Sequence, residues 1–347
     1  MAIIIYAKSS GVNDVALGKL ETPIKMYIEK ESDKYEKKSS FLKKVYNIEK
    51  SNNFGETITA QSSFGPFQAM KEGQGPENDS VGETYRKFIE HITFGKEFTI
   101  TREMVEDAKL GVASNLKRQP RMFVEAYYKT MEQIGAQALI HGTGTSMTYG
   151  KATVDLSTYD GLPLFHKSHK FSTPAMAKKN QGNYFYGDIT SSASVFEEAL
   201  AILANKQRNM LDENGEPLEY ISDTILIPSN RPKLEMMVKK VVGTERAAGS
   251  DWNDINTQYG NWNLVVVPGW RCETDKIMVM SSEANRNLQG NMFFNRVPLT
   301  INNWQDNHTW NYIWNGRCRF GVGFGTYKHI LLAVDSDSTV SGTEALR

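Results

Sequence analysis

The chain has 347 residues, enough for two or three domains or for one domain with long excursions. Lysine plus arginine and aspartate plus glutamate number 40 each, so the net charge is zero, which argues against a dedicated nucleic-acid binder while allowing a locally basic face. The two cysteines, Cys272 and Cys318, have no metal-ligand spacing and suggest no disulfide framework, and no segment is long and apolar enough for a signal peptide or a membrane-crossing helix.

Residues 1 to about 55 form a charged arm, with lysine and glutamate dominating from Lys25 to Lys50. Its sparse apolar positions leave two readings open: a solvated amphipathic helix, or an arm that folds against something outside its own core. Residues 56–100 read as a long hairpin. Thr57 to Phe67 leads out, the polar stretch Lys71 to Gly82 is the tip, and Thr84 to Ile100 leads back. Ordering each residue costs about 1–2 kcal/mol of backbone entropy. A tip this polar cannot offset that from within, so the apolar residues of the excursion need a surface to cover.

Thr101 to Asp107 begins a short helix, and Pro120 is expected as the first residue of a longer one. That helix runs to His141, carries Phe123, Tyr127, Ile134 and Ala138 near one face, and stops at Gly142-Thr-Gly144. Residues 145–190 are irregular. The next helix spans Ser194 to Leu211, with a capping box from Ser194 and Glu197 and a stripe of Val195, Phe196, Ala199, Leu200 and Leu203. A buried strand from Asp223 to Pro228, a helix from Arg231 to Val242, and strands from Leu264 to Pro268 and Lys276 to Ser281 then make a compact α/β unit over about 190–290.

The last stretch, Met292 to Val334, carries four strand signals: Val297 to Ile301, Thr309 to Asn315, Arg317 to Phe324 and His329 to Val334. They are expected to close one sheet, with Trp310, Trp314 and Phe320 in the core. Gly321, Gly323 and Gly325 alternate with Val322 and Phe324, leaving a bare face on which another element can lie close.

Little here could do chemistry. His166 and His169 with Asp160 could form part of a metal site, but no third ligand stands at helical spacing. Gly142-Thr-Gly-Thr145 follows a helix instead of joining a strand to one, so it reads as a helix stop and not a phosphate loop. Gly321 to Gly325 is followed by a strand where a dinucleotide fingerprint needs a helix. Asp251 to Asp254 could line a pocket and reads more simply as a turn. No catalytic residue, cofactor or metal site is assigned.

Four stretches in this order resemble tailed-phage major capsid proteins of the Hong Kong 97-type fold, and look closest to the Mu-like major head subunit group. They are Asp160-Gly-Leu-Pro-Leu-Phe-His-Lys-Ser-His169; Thr101-Arg-Glu-Met-Val-Glu-Asp-Ala108 with the long helix and His141-Gly-Thr-Gly144; Ile225-Leu-Ile-Pro228 with its following helix; and Arg319-Phe-Gly-Val-Gly-Phe-Gly325. The resemblance implies an α+β fold with an N-terminal arm over 1–55 and an extended loop over 56–100. It implies a peripheral domain over 101–189 and 291–347 with a spine helix at 118–141, and an axial domain over 190–290. It implies no enzyme, but a subunit that assembles as hexamers and pentamers into an icosahedral shell around a double-stranded DNA genome, in a host bacterial cytoplasm. The expected partners are copies of the chain itself, the portal, in some relatives a decoration protein, and non-specific contact with packaged DNA. The short arm implies a separate scaffolding protein. On this reading Phe64, Phe67, Met70, Tyr85, Phe88, Ile89 and Ile92 anchor the extended loop on a neighbouring subunit. The alternatives are a cellular nanocompartment shell of the same fold and, from another class, a metal-dependent hydrolase using Asp160, His166 and His169.

Overall fold

A computed structural model describes residues 5–6, 28–61, 67, 69–73, 75, 83–106, 113–173, 176, 178–243, 256–336 and 340–346. Phe64, residues 76–82 of the hairpin tip and Asp251 to Asp254 lie outside them.

A six-stranded sheet runs in the order Asn263–Val267, Thr224–Pro228, Lys276–Met280, Ile330–Asp335, Tyr184–Gly187 and Glu344–Ala345. Alternate residues of its strands serve two cores. Ile225, Ile227, Ile277, Val279, Leu331 and Ala333 pack with the helices Ala193–Arg208 and Pro232–Gly243. Leu226, Met278, Met280, Leu332 and Val334 point the other way, into the core that the long helix Ala113–Ile140 also lines. Both faces are therefore covered, which is why these strands read as unbroken apolar runs.

The second sheet has five strands. Asn291–Gln305 and Tyr312–Phe324 pair antiparallel at its centre, and Ile92–Ile100 adds antiparallel to the latter. Asn47–Lys50 and Ile5–Tyr6 add parallel to the outer edge of Asn291–Gln305. The long helix crosses this sheet where the strand has no side chain: a Cβ on Gly316 would collide with the Phe123 ring, which packs at a tilt against Phe98, 5.1 Å between ring centres.

The arm is tied to the subunit's own core. A helix covers 28–37, and Ser40 caps a short one, Phe41–Val45. Phe41, Leu42, Val45 and Tyr46 are buried, and they reach the long helix at Gly135, where any Cβ would meet Leu42. The Tyr46 hydroxyl donates to the Gly135 carbonyl at 2.7 Å. Of the two readings of the arm, neither a fully solvated helix nor an outward-folded arm describes residues 41–46.

Four local expectations are corrected. The long helix begins at Ala113, so Pro120 sits inside it, buried, at the cost of one backbone hydrogen bond. The helix cap is Ser192, whose hydroxyl accepts from the Val195 N–H at 3.2 Å, and not Ser194. Strand Ile330–Asp335 leaves the sheet of its chain neighbours and pairs with Lys276–Met280 and Tyr184–Gly187. Trp310 is 59% exposed, because the chain turns back there. Asp306 captures the His308 N–H at 3.1 Å and the Thr309 hydroxyl at 2.6 Å, and Trp310 takes a left-handed φ of 59°. Trp314 and Phe320 are buried as expected.

Candidate assembly surface

The hairpin pairs Gly55–Gln61 with Glu83–Glu90 in antiparallel register. Its return limb breaks at His91, and the chain from Ile92 onward enters the five-stranded sheet. Period-2 alternation splits the limb into two faces. Tyr85, Lys87 and Ile89 face the subunit, whereas Arg86, Phe88 and Glu90 are exposed.

Ile58 and Ile89 form a small core with Met292 and Phe294. Gly321 and Gly323 make room for it, as anticipated from their spacing. A Cβ on Gly321 would lie 2.7 Å from the Glu90 carbonyl oxygen, and one on Gly323 2.7 Å from Ile89 Cδ1. Lys87 donates to Asp155 Oδ2 at 2.5 Å and to Ser157 Oγ at 2.8 Å. The Tyr85 ring stacks on Tyr159 at 3.9 Å, and burial pushes its phenol up to about 12.

Tyr159 opens a buried polar nest behind the hairpin. Its hydroxyl bonds the Lys170 carbonyl and Glu213 Oε1, each at 3.0 Å. Lys328 donates to the same Glu213 oxygen at 2.7 Å, with both side chains buried. Burial alone raises Glu213, but the Lys328 ammonium and bonds from Ser172 outweigh it and hold the carboxyl below its usual range. His169 stacks on Tyr327 at 3.8 Å, its Nδ1 lies 2.9 Å from Asp160 Oδ2, and its Nε2 faces the Leu164 carbonyl. Asp160 is held down at about 2: burial opposes this, and bonds from His169, Thr158 and the Lys170 N–H prevail. His166 Nδ1 accepts instead from the Ser168 N–H at 3.2 Å. The three residues of the hydrolase reading thus do not converge on a vacant centre. Both ring nitrogens of His169 are spent on packing the loop. Among the described residues no three His, Cys, Asp or Glu side chains gather to hold a metal ion. Cys318 is buried, which pushes its thiol up to about 12 and away from the reactive thiolate.

Phe64 lies outside the described residues, and the other six hairpin residues separate into two groups. Tyr85, Ile89 and Ile92 have packing partners within the subunit: Tyr85 covers Tyr159, Ile89 fills the space over Gly323, and Ile92 packs against the main core. Phe67, Met70 and Phe88 are exposed, Phe67 completely. Phe88 stacks with the exposed Phe54 at 6.5 Å, and Arg319 lies 5.2 Å over the Phe54 ring. Sequence reasoning missed Phe54, whose signal was an exposed aromatic just before the hairpin's first strand.

Exposed aromatic and apolar side chains gathered on one projecting hairpin suit an interaction surface better than a chemical site. A family model described as phage capsid protein matches residues 84–333, most of the chain. The chain belongs to that family. No curated protein matches this capsid protein in sequence. Among solved structures, the capsid of cyanophage P-SCSP1u is 12% identical over 87% of this chain and 89% of its own, with a TM-score of 0.51. The capsid of Myoviridae phage XM1 is 13% identical over 85% and 91%, with a TM-score of 0.49. A structure from Mycobacterium phage Patience is 13% identical over 97% and 92%, with a TM-score of 0.46. The capsid protein has the α+β, Hong Kong 97-type fold, and it is a major capsid protein of the bacteriophage virion. The nanocompartment alternative fits less well, because the matching family is a phage one.

Proposed function

We propose that this capsid protein is the major head subunit of a Mu-like tailed phage, assembling as hexamers and pentamers into an icosahedral shell with no catalytic role. The observation that carries the assembly reading is the hairpin: fastened at its base by Lys87, Tyr85 and Ile89, and apolar but uncovered at Phe67, Met70 and Phe88. Exposed large side chains on a projecting element are what a neighbouring copy would cover. The peripheral domain is then 101–189 with 291–347, the axial domain 190–290, and the exposed trio the inter-subunit contact. Scaffolding protein, portal and a decoration protein are the proposed partners during assembly in the host cytoplasm. Contact with packaged DNA is non-specific, through counterion release, and weakens steeply with salt.

Expression of the chain followed by electron microscopy tests this. Closed shells are expected, and replacing residues 66–82 with a short Gly-Ser bridge, which keeps Tyr85, Lys87 and Ile89, is expected to leave soluble, folded subunits that form none. Closed particles from the deleted chain would contradict the role given to the hairpin.

A further inference from the structure

The sequence holds two Asn-Gly pairs, Asn214-Gly215 and Asn315-Gly316, and the fold treats them in opposite ways. Asn214 is exposed, in the turn between helix Ala193–Arg208 and strand Thr224–Pro228. Asp212 shapes that turn: its Oδ1 accepts from the Asn214 N–H at 2.7 Å and from the Glu216 N–H at 2.9 Å. The Gly215 N–H between them donates to no group among the described residues. Gly215 takes a left-handed φ of 93°, and it has no side chain to shield its nitrogen. Asn315-Gly316 instead lies in a central strand of the five-stranded sheet, where Gly316 is buried and a neighbouring strand on either side occupies the backbone.

We propose that Asn214 is a site of spontaneous deamidation in the folded subunit, with water as the only co-reactant. The Gly215 nitrogen gives up its proton and attacks the side-chain carbonyl carbon of Asn214. The C–N bond of the side-chain amide breaks, ammonia leaves carrying that proton, and a five-membered succinimide ring closes. Water then opens the ring at one of its two carbonyls and returns a proton to the nitrogen. Opening at the side-chain carbonyl gives aspartate; opening at the main-chain carbonyl gives isoaspartate, whose backbone is one carbon longer. Either product adds a carboxylate to a turn that already holds Asp212, Glu213 and Glu216. The position matters because Glu213, next in the chain, holds the buried nest together. Its Oε1 accepts from Lys328 and Tyr159, its Oε2 from the Ser172 N–H and hydroxyl, and Tyr159 carries Tyr85 of the hairpin base. A longer backbone at 214 pulls Glu213 out of register with Lys328, so ageing at this turn loosens the base of the hairpin.

The test ages the full-length protein at neutral pH in heavy-oxygen water, digests it in ordinary water and maps the peptides by mass spectrometry, with chromatography separating aspartate from isoaspartate. Heavy oxygen is expected at position 214 at about tenfold or more the level at position 315, whose strand must open before it can react. An absence of label at 214 would overturn the proposal. Equal labelling of the two positions would also overturn it, because only unfolded chain would then be reacting. Asn214→Gln, which keeps the amide but closes a six-membered ring far more slowly, is aged alongside. The melting temperature of the wild-type pool is expected to fall by several degrees as isoaspartate accumulates, while that of the variant holds. An unchanged melting temperature in a pool rich in isoaspartate would overturn the link from this turn to the buried pair.

Discussion

Strand Thr224–Pro228 and strand Glu83–Glu90 are comparable in kind and opposite in circumstance. All five residues of the first are buried, between helices on one face and the main core on the other. The second buries Lys87 and Ile89 and presents Arg86 and Phe88 to solvent. The first is held by packing on both faces, and its one polar side chain, Thr224, is hydrogen-bonded to Asp223 at 3.0 Å. The second is held by one salt bridge, one aromatic stack and a four-residue core, which is enough to aim it and too little to cover it. One subunit thus contains a scaffold that needs no partner and a projection whose apolar residues need one.

This contrast can be tested from the scaffold outward. The largest loss is expected from Lys328→Met, which leaves Glu213 buried without its cation and should cost about 3–5 kcal/mol in denaturant unfolding. Gly321→Val should cost about 1–3 kcal/mol or more, because the new Cβ meets the rigid Glu90 carbonyl 2.7 Å away and pries the hairpin base from the sheet. Acid provides a milder probe. Burial lowers His329 to about 3, so on acidification the unfolded chain takes up this proton first. Its contribution is complete above the ordinary imidazole value near 6.5 and lost as pH falls toward 3, at about 1.4 kcal/mol per pH unit. Unfolding at pH 7, 6 and 5 should show that decline, and His329→Gln, facing Asn291 in the same place, should flatten it. The smallest effect on the subunit is expected from Phe67→Ala, within about 0.5 kcal/mol in thermal unfolding, since an exposed side chain has no packing to lose. Its effect should fall on shell yield instead.

Much of the scaffold was legible because it obeys local rules. The apolar runs at Ile225 and Ile277, the stripe Phe196, Ala199, Leu200 and Leu203, and the glycines at 321 and 323 all sit where their periodicity puts them. What was not legible depended on partners distant in sequence. Ile330–Asp335 is a plain apolar strand, and nothing within it says whether it pairs with 312–324 or with 276–280. Ile89 and Tyr85 looked like spare hydrophobics until the space over Gly323 and the ring of Tyr159 were beside them. Trp310 was misplaced by carrying alternation through the turn at Asp306, although the Asp-Asn-His-Thr sequence there was a usable turn signal. The surface itself was half legible: Phe67, Met70 and Phe88 could be named, but Phe54, which stacks on Phe88, lies where no periodicity singles it out.

The central claim is that the hairpin is aimed by its own subunit and covered by another. Hydrogen exchange on isolated subunits and on assembled shells measures both halves. The account predicts slow exchange across 224–228 in both forms, intermediate exchange at 85–90 in the subunit, and exchange at 67–73 that is fast in the subunit and slow in the shell. Equal protection of 67–73 in the two forms would contradict it.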